Sequence, residues 1–350
     1  MGIPNLNKNL KNLFVVDWQS NSPGEITDLL NNNEFNGYQW TFYNCLAKNV
    51  GKGIVSRYRA YLSAVVYILK NKKKYDNIII WQPMIGFILS LLPRFYSSPK
   101  IIITTILYSP ARVKKGSFRL FLLNGALKRA DALLYFSDGM AADVKKMYPK
   151  FSKKIFSTYL PIINNLTENT PEINSFNSLK KENAVFTGGL SDRDFETVIK
   201  AFSNTKVPVT IVGTKSQSFK NADLITENFT VVRDVTEIEY YSLILASSFV
   251  VIALESEHSS CGQLLFTFCM KNRIPIIATD CYGTRDYISN NENGILVPVK
   301  DDRSIFNAYN KLVNDAEFKE RLIEHSTATS EKMNFSSYLN KIDSIIKEIN

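Results

Sequence analysis

The sequence contains few cysteines and few histidines. Its four cysteines, among 350 residues, form no Cys-x-x-Cys pair, so neither a structural zinc site nor a disulfide framework is predicted. Its two histidines, His258 and His325, both lie in the second half of the chain. A histidine that acts as a general base from the first half is therefore excluded.

Long apolar runs are also missing. The most apolar stretch, residues 78–92, is interrupted by Gln82-Pro83 and followed by Pro93-Arg94, whereas a membrane-spanning helix needs about 20 apolar residues. The first 11 residues are polar and rich in asparagine, and they do not resemble a secretion signal. We therefore expect a cytoplasmic protein.

Positive charge is concentrated in the first half. Residues 1–165 carry 23 Lys and Arg against 8 Asp and Glu, whereas the remainder carries 19 against 25. Cations interleaved with apolar side chains, as in residues 52–62 and 112–122, can lie on an anionic membrane surface. Two alternatives stay open. These stretches could be solvated faces of ordinary amphipathic helices, or they could bind nucleic acid. Because no recognisable nucleic-acid-binding motif is present, nucleic acid is not expected as a partner.

Short β-branched strand patterns alternate with helix-period segments along the chain, which is typical of parallel sheets covered by helices on both faces. In the first half we predict strands at residues 13–17, 38–43, 77–81, 101–106 and 132–136, and helices at 25–31, 55–70, 118–129 and 139–147. In the second half we predict strands at 184–187, 207–212, 230–233, 249–254, 274–279 and 295–299, and helices at 194–202, 237–246, from 262 onward and at 284–289. Two or three helices complete the chain.

The length and the pattern together predict two domains. Residues 166–183 are polar and show no sustained periodicity, so they are predicted to link a first domain (1–165) to a second domain (184–335). We expect two doubly wound, Rossmann-like α/β domains that face one another across a cleft. In the second domain, Ser259–Gln263 form a turn between a strand and a helix. Such a glycine-marked helix start, at the carboxyl edge of a parallel sheet, suits a phosphate.

Four motifs follow one another in the second domain. They are Thr187–Asp194 with its Gly188-Gly189 pair, Ile211-Val212-Gly213, the turn Ser260–Gln263, and Pro275–Asp280 with Gly283–Ile288. Through this set, residues 184–300 resemble the donor-binding domain of GT-B glycosyltransferases of the family 4 type. The resemblance implies a metal-independent enzyme. It would transfer a sugar from a nucleotide-sugar to a glycan or lipid-linked acceptor, in bacterial surface polysaccharide or glycolipid synthesis.

The resemblance also implies roles for individual residues. Arg193 would neutralise the donor pyrophosphate as the glycosidic bond breaks, and Lys215 or Arg233 could supply a second positive charge. Glycines let the backbone approach a ligand closely. The donor-binding residues implied are Gly188, Gly189, Arg193, Gly213, Lys215, Arg233, Ser259, Ser260, Cys261, Gly262 and Gln263. A UDP-sugar is favoured over a GDP-sugar as co-substrate, and neither a cofactor nor a metal is expected. Residues 336–350 are expected to form a helix that crosses back to the first domain.

The chain departs from the family at a pair of glutamates. Family members carry two Glu separated by seven residues, and alignment back from Pro275 places Ser260 and Phe268 at those positions. A different register pairs Glu255 with Gln263, whose amide can hydrogen-bond hydroxyl groups. Glu255 and Glu257, at the carboxyl end of a strand, remain the candidate catalytic carboxylates.

The first domain is expected to hold the acceptor and to touch the inner face of the membrane. Asp17, at the end of the first strand, and Ser22 and Gly24 in the following loop are the acceptor-side candidates. Asp17 or Glu25 could act as a base, and Asp17 could equally cap a turn. Retaining enzymes of this type need no such base, so retention is expected. Two alternatives stay open: a catalytically degenerate homologue that serves as a binding or assembly subunit, and a sugar-nucleotide epimerase on the same fold.

Overall fold

The computed structural model describes residues 10–18, 34–35, 38–46, 53–93, 99–106, 117–162, 166, 170 and 181–350. The predicted helix at 25–31, the candidates Ser22 and Gly24, and most of the predicted linker lie outside these residues. The chain divides into two compact units. The first comprises residues 1–158 together with 338–350, and the second comprises residues 159–337.

The first unit contains a sheet of seven described strands in the order β2-β3-β1-β4-β5-β6-β7. All neighbouring strands are parallel except the antiparallel β2–β3 pair. The strands are β1 (Lys11–Val16), β2 (Glu34–Phe35), β3 (Tyr38–Asn44), β4 (Asn77–Ile80), β5 (Lys100–Ile106), β6 (Ala132–Tyr135) and β7 (Ile155–Ser157). The helices that follow them are α1 (Ile54–Asn71), α2 (Pro83–Leu89), α3 (Phe118–Arg129) and α4 (Asp138–Met147).

The central strands of this sheet are buried on both faces, as their unbroken apolar sequences predict. Leu13 and Val15 of β1 pack with the inner face of α1, which contributes Tyr61, Ala64 and Ile68 to the same core. Helix α2 begins where Gln82 accepts a hydrogen bond from the Met84 amide and Pro83 occupies the first turn. Proline is tolerated there because its missing N–H would have no helical partner.

The last helix, α11 (Phe335–Ile349), supplies residues 338–349 to the first unit. Its Tyr338 ring contacts the rings of Phe14, Trp81 and Phe136, with centroids 6.5, 5.5 and 6.2 Å away. Successive strand residues point to opposite faces, so Phe14 faces away from its neighbours in β1 that pack against α1. Helix α11 therefore covers the other face of this sheet.

The second unit contains a sheet of six described, parallel strands in the order β10-β9-β8-β11-β12-β13. The strands are β8 (Val185–Gly188), β9 (Val209–Gly213), β10 (Phe229–Arg233), β11 (Phe249–Ile252), β12 (Ile276–Thr279) and β13 (Ile295–Val297). The helices are α5 (Phe195–Phe202), α6 (Glu237–Leu245), α7 (Gln263–Lys271), α8 (Tyr282–Arg285), α9 (Asp302–Asn314) and α10 (Ala316–Glu331). Short polar side chains start several helices: Asp194 caps α5, and a Thr236–Glu239 capping box starts α6.

The predicted α/β architecture, with two doubly wound sheets, is confirmed. The sequence pattern did not reveal the short edge strands β2 and β7. The helix predicted at 284–289 is shorter and lies earlier, at Tyr282–Arg285. Thr284 causes this shift because its hydroxyl accepts a hydrogen bond from the Cys281 amide and so fixes the helix start. Strand β11 also ends before the predicted Leu254, where the chain bends into a single bridge with Arg193.

Candidate active site

The loop between β8 and α5 holds the guanidinium group of Arg193 against a glycine. Arg193 Nε donates to the carbonyl oxygen of Gly188 at 2.8 Å, and Nη1 donates to that of Ser191 at 3.0 Å. Gly189 has φ +128°, and a Cβ atom there would lie 2.6 Å from Arg193 Nη2. Glycine is therefore required twice at position 189, for its backbone conformation and for the space that the arginine occupies.

Arg193 is a half-buried cation with no carboxylate within ion-pair distance among the described residues. Burial lowers the pKa of its guanidinium group, and the neighbouring Tyr240, Cys261 and Asp192 act in the opposite direction. Arginine nonetheless stays protonated in proteins. A buried positive charge without a counter-ion favours an anionic ligand, because the ligand would offset the desolvation of the guanidinium group.

The turn from Glu255 to Gly262 is tied to the Arg193 loop. Ser259, which is fully buried, donates its hydroxyl to Asp192 Oδ2 at 3.0 Å. The amide of Glu255 donates to the carbonyl oxygen of Asp192 at 3.1 Å. The same turn is packed against the start of α8: Gly283 donates its amide to Ser259 O at 2.9 Å, and a Cβ at Gly283 would lie 2.6 Å from Ser260 Cα. These contacts fix the turn from two sides.

Helix α7 begins at Gly262, which has φ +101° and makes no side-chain capping bond. The first amides of a helix have no partner within the helix, and they carry the positive end of its dipole. Gln263 does not point away from the protein: it is buried, and its Nε2 donates to Ser260 Oγ at 3.2 Å. Cys261, just before the helix, is partly buried. The structure thus places an uncapped helix start next to the Arg193 loop.

The two candidate catalytic carboxylates have different surroundings. Glu255 forms an ion pair with Lys300, with Nζ 3.5 Å from Oε2, and the side chains of Lys300 and Glu255 are 66% and 47% exposed. Glu257 is exposed, and its backbone carbonyl accepts the Tyr282 amide at 3.0 Å. Both carboxylates are therefore open to solvent, and Glu255 already has a cationic partner.

Lys215 and Arg233 both have partners within the chain. Lys215 is 86% exposed and lies 3.2 Å from Asp234 Oδ2. Arg233 Nη1 donates to the carbonyl oxygens of Thr214 at 2.8 Å and Gln217 at 2.5 Å, and its guanidinium group lies over the Phe219 ring. Arg233 therefore holds the loop after β9, where Gly213 ends the strand. The second positive charge stays a prediction that this geometry does not favour.

The structure shows the surroundings of Ser260 and Phe268, which occupy the two positions where family members carry glutamate. Phe268 is buried in the middle of α7, with its ring centroid 4.3 Å from that of Tyr241, so its position belongs to the hydrophobic core. Ser260 lies in the turn itself, against Gly283. In the alternative register, Glu255 bonds to Lys300 and Gln263 to Ser260, so the two are engaged separately.

Several residues of this region were not predicted from sequence. Asp192 and Asp194 flank Arg193, and both hold the surrounding backbone in place. Asp192 receives the Ser259 hydroxyl, and Asp194 accepts the amide and hydroxyl of Thr197 at 3.1 and 2.6 Å. Lys300 was missed because it follows a different strand. The Asp-Arg-Asp triplet was the available signal for the two aspartates, since aspartate favours both helix caps and turns.

In the first unit, Asp17 lies directly after β1. Its Oδ2 accepts hydrogen bonds from Tyr61 Oη at 2.9 Å and Gln82 Nε2 at 2.8 Å. Burial raises the pKa of the Asp17 carboxyl, although both hydrogen bonds and Arg57 act against this shift. Within the described part of the chain, no three His, Cys, Asp or Glu side chains are grouped so that they could hold a metal ion.

Residues 170–329 match the family of group 1 glycosyl transferases. Solved GT-B structures match nearly the whole chain. Anabaena HepE in complex with UDP-glucose has a TM-score of 0.61 at 13% identity and covers 97% of this chain and 98% of its own. Sucrose-phosphate synthase from Thermosynechococcus elongatus has a TM-score of 0.65 at 14% identity, with 97% and 99% covered. A glycosyltransferase from Rickettsia africae has a TM-score of 0.63 at 15% identity, with 97% and 98% covered.

No curated protein matches the chain in sequence. The match to group 1 glycosyl transferases occupies most of the second unit, and the whole chain shares the two-domain GT-B fold of these solved structures. The second unit is thus the part of the molecule that its sequence ties most directly to glycosyl transfer, and it is also the unit that holds Arg193.

Proposed function

We propose that this enzyme transfers a sugar from a UDP-sugar to a glycan or lipid-linked acceptor, without a metal ion and with retention of the anomeric configuration. The observation that carries the proposal is the uncompensated, half-buried Arg193 beside the uncapped start of α7. Both features are positively charged and would bind the negatively charged pyrophosphate. A guanidinium group can hydrogen-bond two phosphate oxygens at once, and a helix start binds anions. The UDP-glucose bound to HepE, which shares the fold, supports the choice of donor.

Arg193 acts on the leaving group in this proposal. As the glycosidic bond breaks, negative charge grows on the pyrophosphate, and a fixed cation stabilises that charge without reorganisation. Gly188, Gly189 and Gly262 leave room for the side chains of Phe186, Arg193 and Phe266, and in this proposal they shape the loops that face the donor. The hydroxyls of Ser259 and Ser260 position the turn that carries the helix start. Asp192 and Asp194, which flank Arg193, accept hydrogen bonds from Ser259 and Thr197 and so hold the loop. A retaining reaction of the proposed type needs no separate general base there.

The acceptor is assigned to the first domain. Asp17, with its Tyr61 and Gln82 hydrogen bonds, is a carboxyl group that can accept a hydrogen bond from an acceptor hydroxyl. The excess of basic residues in residues 1–165 supports an enzyme that works at the inner face of an anionic membrane, in surface polysaccharide or glycolipid synthesis.

Calorimetric titration with UDP-, GDP-, ADP- and CMP-glucose tests the donor site. We expect binding of UDP-glucose, and a modest loss of affinity for it in Arg193→Ala, whose main effect is expected on turnover. Absence of binding by all four nucleotide-sugars would refute the donor site. If donor binds but neither transfer to acceptors nor donor hydrolysis follows, the chain is a binding subunit instead. Release of an epimerised nucleotide-sugar would identify an epimerase. The anomeric configuration of the transferred sugar, read by NMR, tests retention.

A further inference from the structure

Helix α1 has two apolar faces, and one of them is exposed. Its inner face packs against the sheet of the first unit. On its outer face, apolar side chains recur at intervals of three or four residues, which places them in one stripe along the helix. They are Val55, Tyr58, Leu62, Val66 and Leu69, with exposed fractions between 39% and 66%. A helix on the surface of a sheet normally presents polar residues on this side.

A second apolar group lies on the same side of the sheet. Phe118 and Phe121 begin α3, are 68% and 58% exposed, and stack on each other with centroids 6.2 Å apart. Leu91 and Leu92, which follow α2, are also exposed. We call the outer stripe of α1, these two leucines and the two phenylalanines the α1–α3 surface.

The far ends of α1 and α3 meet across the segment that follows α2. One cavity of about 40 Å³ is lined by Leu69 of α1, by Leu92 of the segment after α2, and by Arg129 of α3. Arg129 also donates a hydrogen bond to the carbonyl oxygen of Leu92. A Cβ on Gly125 of α3 would lie 3.9 Å from the Leu91 side chain. Leu91 and Leu92 therefore connect the far end of α1 to α3, and Phe118 and Phe121 lie at the opposite end of α3.

The charge of this surface has one sign. Residues 54–74 contain Arg57, Arg59, Lys70 and the run Lys72–Lys74, and they contain no Asp or Glu. Helix α3 carries Arg119, Lys128 and Arg129, again without an acidic residue. Apolar side chains flanked by cations on one helix face are the pattern of helices that lie in the interface of an anionic bilayer. A second copy of this chain would bring like charges together, so the charge favours lipid over self-association.

We infer that the α1–α3 surface docks the enzyme onto a bilayer that contains anionic lipid, with Leu62 and Val66 of α1 inserted among the headgroups. The inference rests on the part of the proposed function that places the first domain at a membrane, and it adds the residues and the geometry of contact. No helix of the described residues is long and apolar enough to cross a membrane. The contact would therefore be peripheral, with α1 parallel to the bilayer plane.

Co-sedimentation of the full chain with vesicles tests the inference. Vesicles of equal parts phosphatidylcholine and phosphatidylglycerol should bind the protein at low salt, and pure phosphatidylcholine should bind it far less. Leu62→Ser combined with Val66→Ser should lower the partition coefficient at least about tenfold. Ile238→Ser, which removes an exposed apolar side chain from α6 of the second unit, is the matched control and should leave binding unchanged.

The electrostatic part has its own pair of variants. Lys70→Gln combined with Lys73→Gln should weaken binding to the anionic vesicles by about fivefold per charge. Lys200→Gln combined with Lys332→Gln removes two exposed cations from the second unit and should have no effect. The inference would be overturned if wild-type protein did not bind anionic vesicles, or if the α1 variants bound these vesicles as well as wild type. It would also be overturned by an α1 double variant that turns a dimer into a monomer in sedimentation velocity without changing vesicle binding. Titration of the same proteins with UDP-glucose shows independently whether the donor site is intact.

Discussion

The guanidinium group of Arg193 fills the space in which a side chain of residue 189 would have to lie. The distance from a Cβ built on Gly189 to Arg193 Nη2 is 2.6 Å, and the distances to Nε and Cζ are 2.7 and 2.8 Å. The glycine and the arginine therefore act as one unit. A larger residue at 189 changes the position of the cation on which the proposed chemistry depends.

Gly189→Ala is expected to lower turnover by displacing Arg193. Alanine at a φ of +128° would also strain the folded backbone and so lower the free energy of unfolding by about 1–3 kcal/mol. A double-mutant cycle with donor hydrolysis as the readout separates the two effects: in an Arg193→Ala background, Gly189→Ala should cost stability but little further activity. Additive losses of activity would show that the two residues act independently.

Arg193→Ala itself should lower kcat by about two to three orders of magnitude with a smaller change in KM, since the proposed interaction strengthens as the leaving group departs. Steady-state kinetics with UDP-glucose measures both constants. Arg273→Ala is the control, because Arg273 forms an exposed ion pair with Glu320, and exposed pairs contribute little. Unchanged kcat in Arg193→Ala would remove the proposed role.

Gly283→Ala should disturb the turn that precedes α7. Its Cβ would lie 2.6 Å from Ser260 Cα and 3.1 Å from Ser260 C, and backbone atoms cannot rotate away as a flexible side chain can. We expect KM for the donor to rise by about tenfold or more, as misplacement of binding groups predicts. Gly125→Ala is the control: its nearest neighbours are 3.9 Å away, and alanine should stabilise helix α3 by about 1 kcal/mol. A KM equal to wild type in Gly283→Ala would show that the turn does not position the donor.

The sequence predicted the architecture because its signals are local. Strands such as Asn77–Ile80 and helices such as Phe118–Arg129 are set by residue type and spacing, and their predicted bounds agree with the structure to within about one residue. The short strands β2 and β7 were missed because two or three residues carry too little pattern. Their place comes from pairing with β3 and β6.

The candidate site was only partly predictable. The positive φ of Gly189 and Gly262 could be predicted because glycine is the residue that adopts it most readily. The pairings of Glu255 with Lys300 and of Arg233 with the carbonyls of Thr214 and Gln217 depend on how loops from separate strands approach one another. Residue type alone therefore suggested that Glu255 and Arg233 were available to a ligand, whereas in the structure both have partners within the chain.

Restoring a glutamate at position 268 should not restore a family-like site. Phe268 is 2% exposed and packs on Tyr241, so Phe268→Glu would bury a carboxylate without a partner and lose apolar packing. We expect a loss of at least about 3 kcal/mol in the free energy of unfolding, measured in urea. Leu264→Glu in the same helix is the control, because Leu264 is 48% exposed and a carboxylate in the first turn suits the dipole. A stable Phe268→Glu protein would show that this helix can turn that position towards solvent.

Asp17→Asn is expected to stabilise the first unit more as the pH rises. Burial raises the pKa of Asp17 in the folded protein, so the stability that this group contributes is greatest below its ordinary pKa of about 4 and is lost as the pH rises through the raised value. Asparagine stays neutral and keeps an oxygen that can accept the Tyr61 and Gln82 hydrogen bonds.

The difference in unfolding free energy between Asp17→Asn and wild type should therefore be small near pH 4 and should grow in favour of asparagine as the pH rises towards 7. All three tryptophans, Trp18, Trp40 and Trp81, lie in the first unit, so urea unfolding followed by tryptophan fluorescence reports on this unit. A difference that does not change with pH, or that grows in favour of aspartate, would mean that the carboxylate is stabilised by its partners more than burial destabilises it.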